Sequence, residues 1–398
     1  MASGKPTDEE PDRAATNIMT TTPENQAATF RNQDQVWPHR VIRRGDAVRP
    51  LPRHAGSLED RTFQVGNVSL SLSDFMARRR TAGFLILKDG EIALELYGMG
   101  NGPQSRWTSF STAKSMTATL VGAALHDGVI GSLDDPCDLY LPRLRGSAYE
   151  GVTIRNALRM ASGVGWNEGA HSDGPDLRRL GQAMGRRRSG SILDLLCTMP
   201  RVQPQNAVFN YSTIESFLLG AVVAAATGRW LADYASERIW GPAGMEADAS
   251  WQLESEDGLE LGGMGVSLCL RDAGRFGLLV LEDGAAFNGQ RVLPTGWREV
   301  AGQPDSKTTA FGRLEPGSPA GYGYHWWGLP GAPFADGLHA GTCVALGAFG
   351  QRIYVNPTEQ VVVVIQSAWR QPSDSEAEAE TVALLRPMVR ALRSDPAS

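Results

Sequence analysis

Two stretches rich in β-branched and apolar residues stand far apart in the chain, and they constrain the fold more than anything between them. Residues 84–87, the turn Lys88-Asp89-Gly90 and residues 92–97 read as strand, tight turn and strand. Residues 343–354 and 361–367 have the same texture, broken by glycines. Between these ends lies helical sequence. Residues 111–126 carry Met116, Leu120, Val121 and Ala124 at helical spacing and stop at Asp127-Gly128. Further helices are expected over 153–160, 191–199, 214–226, 230–239 and 271–281, with a terminal amphipathic one over 376–392.

This order predicts an α/β fold in which one sheet is assembled from both ends of the chain and a helical subdomain is inserted between them. Residues 61–110 with 255–398 are expected to form the α/β subdomain, and 111–254 the helical one. Residues 1–60 form an N-terminal arm. Its first 30 or so residues are rich in Thr, Pro, Glu and Asn and too poor in apolar groups to offset the entropy of ordering, so mobility is expected there. From Trp37 to Pro52 the arm is expected to lie extended on the body.

Composition sets outer bounds. The chain of 398 residues is 42% hydrophobic, enough for a large core. A formal net charge of -6, without a long basic block, argues against a nucleic-acid partner; Arg78-Arg79-Arg80 and Arg186-Arg187-Arg188 read as solvated surface. Cys137, Cys197, Cys269 and Cys343 form no CxxC pair and stand at no metal-ligand spacing from a histidine, as expected for thiols of a reducing compartment. The N-terminus lacks the apolar stretch of a secretory signal, and no apolar run reaches membrane-spanning length. A cytoplasmic protein without a membrane partner is therefore expected, either monomeric or homodimeric.

The sharpest chemical signal is Ser111-Thr112-Ala113-Lys114 at the start of a helix. Residues three apart on a helix share a face, so hydroxyl and amine can meet. A serine hydroxyl needs a neighbour to take its proton, and a lysine does this when burial disfavours its ammonium form. On its own the pair fits two readings, a reactive couple or a capping serine beside a lysine reaching for solvent. Lysine is rare here, confined to Lys5, Lys88, Lys114 and Lys307 against many arginines, which favours the first.

Two further segments add to it. Tyr211, in Phe209-Asn210-Tyr211-Ser212-Thr213, precedes an apolar helix and could relay protons, or simply pack. The glycines of Ala345-Leu346-Gly347-Ala348-Phe349-Gly350-Gln351 suggest a strand approached closely by another group, from which a backbone N–H could serve an oxyanion. Other chemistries fare poorly. No GxSxG elbow is present, Gly262-Gly263-Met264-Gly265 does not fit a phosphate loop, and the histidines show no HExxH spacing, so no metal or cofactor is expected.

In this order and spacing the three segments resemble the serine β-lactamase and penicillin-binding superfamily, specifically its class C-like branch with the aminohexanoate-dimer hydrolases and β-lactamase-like carboxylesterases. The similarity runs from about Phe84 to Trp369 and includes 152–163, 211–228, 262–277 and 321–327. It implies a β-lactamase-like fold of antiparallel sheet flanked by helices. It also implies Ser111 as acylated nucleophile, Lys114 as its base, Tyr211 as proton relay, and the backbone N–H groups of Ser111 and Ala348 as oxyanion hole.

Two departures narrow the substrate. Where β-lactamases carry Tyr-x-Asn the chain has Tyr211-Ser212-Thr213, and where they carry Lys-Thr-Gly the favoured alignment places Ala345-Leu346-Gly347. A rival alignment puts His339-Ala340-Gly341 there. Small esters or linear amides are therefore expected as substrates rather than penicillins. Trp166, Glu168, His339 and Phe349 are the candidate substrate-binding residues, with His171, Asp173 and Asp176 as further polar groups of the same loop region. Transfer of the acyl group to an amine or alcohol, and a catalytically silent ligand-binding protein, are the alternatives to hydrolysis.

Overall fold

The computed structural model describes residues 18–169, 174–303, 321–328 and 337–393. In chain order its principal elements are helix α1 (Pro23–Arg31), strands β1 (Thr81–Lys88) and β2 (Glu91–Tyr97), and helices α2 (Ala113–His126), α3 (Thr213–Thr227) and α4 (Leu270–Leu281). Strands β3 (Gly321–Tyr322), β4 (Trp327–Gly328), β5 (Cys343–Gly347), β6 (Gln351–Asn356) and β7 (Val361–Ser367) follow, and helix α5 (Ser375–Ala391) closes the series.

The seven strands form one antiparallel sheet in the order β2-β1-β7-β6-β5-β4-β3. Within it β1 pairs with β7, with Phe84 opposite Ile365, so the first and last strands of this sheet in chain order lie side by side as expected. Side chains alternate across a strand, which sends Leu85, Leu87, Val362 and Val364 into one core and Phe84, Ile86, Val361 and Val363 into another. Both faces are covered, which explains why these strands read as unbroken apolar runs. Phe276, Leu279 and their neighbours on α4 lie in the first core; Leu384, Leu385, Met388 and Val389 of α5 close the second.

The inserted helices pack on the first core. Leu120, Val121 and Ala124 of α2 and Ile214, Leu218 and Val222 of α3 all lie in it, the two helices are in contact, and α3 is buried up to Val223. Among the described residues no single helix is long and apolar enough to cross a membrane.

Three expectations change. The helix expected from 111 begins as a 3₁₀ turn, Phe110–Thr112, before α2 proper. Residues 343–354 are not one strand: the chain reverses through Ala348–Gly350, and Phe349 takes φ +61°. Residues 23–31, expected within a mobile arm, form α1, with Phe30 fully buried. Its helix starts on Pro23 after Thr22, and one aromatic ring is enough to dock an otherwise polar segment. A second, four-stranded sheet runs His39–Ile42, Ala249–Gln252, Val266–Cys269, Arg106–Thr108, and the last of these strands delivers the chain to Ser111.

Candidate active site

Strand Arg106–Thr108 ends against Val266–Cys269, and the chain then turns sharply. Phe110 has φ +46°, and Thr112 Oγ1 donates to Ser109 O at 2.9 Å. The tight turn and the first turn of α2 set Ser111 and Lys114 on one face. Lys114 Nζ lies 2.9 Å from Ser111 Oγ and also donates to Gly263 O at 2.9 Å. Lys114 is 1% exposed, whereas Ser111 is only half-buried and open to a substrate. Burial pushes the Lys114 amine down to about 8, against the opposing pull of the Glu168 carboxylate. At pH 7 roughly a tenth of it is therefore the free base.

The Gly263 carbonyl reaches Lys114 because nothing larger than glycine fits there. A Cβ on Gly262 would collide with Ser216 O, and one on Gly263 would sit 2.8 Å from Thr213 Cγ2 and 2.9 Å from Thr213 O. The glycine pair is thus pressed between α2 and α3. Thr117 Oγ1 ties α2 to Gly262 O, and Ser115 Oγ ties it to His325 O, both at 2.6 Å.

His325 is buried beside the lysine. Its Nδ1 faces Leu158 O at 2.9 Å and its Nε2 faces Ser216 Oγ at 3.0 Å. A carbonyl only accepts, so Nδ1 carries the proton and Nε2 accepts from the serine hydroxyl. Burial, and secondarily the Lys114 charge, push the imidazole down to about 3, so it stays neutral and adds no second cation.

Tyr211 stands at the mouth of α3. Its ring stacks on Trp327 at 5.7 Å, meets the edge of Tyr322 at 6.0 Å, and lies 5.1 Å from Lys114 Nζ. Burial, helped by the Glu168 charge, holds its hydroxyl protonated against the opposing influence of Ser111. Glu168 itself accepts from Trp166 Nε1 at 2.7 Å and from Thr213 N, pinning its loop to the start of α3. Ser111 and Lys114 of one motif and Tyr211 of a distant segment are therefore brought together with the Glu168 carboxylate behind them.

The remaining candidates divide. A Cβ on Gly347 would sit 2.7 Å from Ser109 O, so the end of β5 runs directly against the segment that carries Ser111, with Ala348 next in the chain. That places 345–347, not His339-Ala340-Gly341, beside Ser111. His339 is buried at the other end of β5, where its Nδ1 meets Tyr354 Oη at 2.7 Å and Tyr354 pairs with Val344. Phe349 is also buried, packed on Phe110 and Phe30. Both side chains are thus enclosed by protein neighbours. Trp166 lines a cleft of about 550 Å³ with Asn167, Met199, Val202, Phe209 and Asn210. Asp176 is engaged by Asn167 N at 2.8 Å and Arg179 Nη1 at 3.0 Å. His171 and Asp173 lie outside the described residues.

The sequence did not single out Gly263 O, His325, or the rings of Tyr322 and Trp327. The run Gly262-Gly263-Met264-Gly265 is a visible signal, rejected as a phosphate loop and included in the family resemblance, but given no part in the site by the sequence. Among the described residues no group of three or more His, Cys, Asp or Glu is placed to hold a metal ion.

Comparison with known proteins shows the family. The family model described as beta-lactamase matches residues 70–386. The 6-aminohexanoate-dimer hydrolase of Paenarthrobacter ureafaciens is 27% identical over 318 residues, 78% of this chain and 79% of that protein. A Bacillus anthracis protein proposed to be a 6-aminohexanoate-dimer hydrolase superposes with TM-score 0.79 at 22% identity, covering 93% of this chain and 95% of its own. EstCE1, a hydrolase with promiscuous acyltransferase activity, superposes with TM-score 0.62 at 16% identity, covering 81% and 96%.

Proposed function

The chain belongs to the β-lactamase family and has its fold, and from that premise we propose that it is a serine hydrolase cleaving small esters or linear amides through an ester on Ser111 Oγ. The observation that carries this reading is the buried lysine, 2.9 Å from a serine hydroxyl and with its pKa pushed down to about 8. A structural lysine would reach for solvent or a carboxylate instead.

In the proposed reaction the Lys114 free amine takes the Ser111 proton as Oγ bonds to the substrate carbonyl carbon. The resulting oxyanion faces the backbone N–H groups of Ser111 and Ala348. The intermediate collapses, the bond to the alcohol or amine breaks, and the leaving group departs with a proton supplied through Tyr211 and Lys114. Water then attacks the acyl ester, giving its proton back along the same path. Free acid leaves and Ser111 regains its hydrogen.

The substrate class rests on what borders the nucleophile. Ala345-Leu346-Gly347 offers no cation for a substrate carboxylate, Thr213 offers no amide, and Glu168 adds a negative field that disfavours an anion. The name of the P. ureafaciens relative supports linear amides.

The test is intact-protein mass spectrometry after exposure to short-chain esters, linear amides and β-lactams. An acyl mass on Ser111 from the first two classes, absent in Ser111→Ala, is expected. Full turnover by Ser111→Ala would overturn the mechanism. Product analysis with an added amine or alcohol separates hydrolysis, which yields free acid, from transfer to that acceptor. A folded sample that no covalent probe labels would point to a ligand-binding protein.

A further inference from the structure

The two residues that flank the proposed oxyanion hole share an unusual feature. Phe110 immediately precedes Ser111 and Phe349 immediately follows Ala348, and both hold positive φ, +46° and +61°. Side chains other than glycine rarely adopt this region, so something outside the local backbone must hold each of them there.

That constraint is visible in the packing. The Phe110 and Phe349 rings meet at 5.2 Å, and a third ring, Phe30, lies 4.9 Å from the first and 5.1 Å from the second. Phe30 also meets the edge of Trp107 at 5.6 Å, on the strand that leads to Ser111. It is 0% exposed. Its helix is fastened at both ends: Arg31 donates to Asn101 Oδ1 and Met99 O, and the buried Gln26 donates to Trp369 O at 3.1 Å. Trp369 N in turn donates to Phe349 O at 3.2 Å. All of α1 lies before residue 70, where the family match begins.

We propose that Phe30 is a positioning residue for acyl transfer: the N-terminal helix packs its ring against both Phe110 and Phe349 and so sets the spacing of the Ser111 and Ala348 N–H groups. The inference rests on the acyl-Ser111 reading. It adds that the catalytic backbone of this chain is completed by a segment outside the matched region. Without the ring, Phe110 and Phe349 lose the surface that holds them at positive φ. The two donors then drift from the oxyanion position, while Ser111 and Lys114, tied by α2 and Gly263, stay together.

The test compares p-nitrophenyl acetate with its thiono counterpart, in which sulfur replaces the carbonyl oxygen. Sulfur is larger and a weaker acceptor, so it gains less from two fixed N–H donors, and the oxo-to-thiono rate ratio reads the hole itself. For Phe30→Ala the oxo-ester kcat/KM should fall roughly ten- to a hundredfold, and the thiono rate much less, so the ratio contracts. Phe30→Leu keeps most of the buried volume and should fall between; it carries the test if the alanine variant does not fold. Val389→Ala, which removes volume from the core beneath α5, should keep the native ratio. An unchanged ratio in a folded Phe30 variant, with Ser111→Ala inactive, would overturn the positioning role alone. An active Ser111→Ala would instead overturn the mechanism beneath it.

Discussion

Lys114 illustrates how one side chain acquires a role from its surroundings rather than its type. Water is excluded from the ammonium, Gly263 O and Ser111 Oγ satisfy it, and the result is a base that titrates near pH 8. Below that value the free-base fraction falls tenfold per pH unit, so kcat/KM should rise with pH and level off above about 8. Glu168 modulates this from behind. Its charge favours the ammonium form, and it holds Thr213 N and Trp166 Nε1 through Oε1. Glu168→Gln keeps an accepting oxygen but removes the charge. The acid limb of the kcat/KM profile should therefore move to lower pH, raising activity at pH 6.5 by roughly threefold. A limb that stays in place or moves to higher pH would show that Glu168 does not act on Lys114 through its field.

At the scale of elements, the site exists because α2 and α3 approach each other over glycine. Gly263→Ala would set its Cβ against Thr213 Cγ2 and Thr213 O, and backbone cannot swing aside as a side chain can. The helices must part, taking Gly263 O off Lys114. A stability loss of about 1–3 kcal/mol and a loss of activity of about tenfold or more are expected, read from the urea midpoint and ester turnover. Gly181→Ala, on an open face of helix Pro175–Gly185, should instead be neutral or slightly stabilising. The same scale separates what the sequence could tell from what it could not. Ser111 and Lys114 are marked by local spacing, Tyr211 only through the family resemblance, and the β1 and β7 runs by their apolar texture. The reversal at Ala348–Gly350 is not marked locally, because a phenylalanine at φ +61° is held by Phe30 from the other end of the chain. The Tyr354 partner of His339 is hidden from the sequence for a related reason, since the two residues are 15 apart and meet only when β5 and β6 pair.

For the whole molecule, three buried titratable groups around α2 and α3 combine into one stability profile. His325, held down to about 3, is neutral when folded, while the unfolded chain takes up a proton below about 6.5. Its contribution makes stability rise with pH between those values. Glu215 acts in the opposite sense. It is buried on α3, accepts a hydrogen bond from Ser162 Oγ, and burial pushes its carboxyl up to about 8. The folded protein keeps that proton where the unfolded chain releases it, so stability falls as pH rises from 4.5 to about 8. Lys114 enters only above about 8, where the folded amine has lost its proton and the unfolded one has not. Between 4.5 and 6.5 the histidine and glutamate slopes offset; from 6.5 to 8 Glu215 acts without that offset and should remove about 2 kcal/mol. That is a sizeable part of the roughly 5–15 kcal/mol typical of a folded domain. Glu215→Gln carries no titrating proton and keeps an oxygen for Ser162. Urea unfolding at pH 6.5 and pH 8 should then show the native chain losing stability across the interval and the variant holding level. An equal decline in both would mean that Glu215 is already ionised in the folded protein.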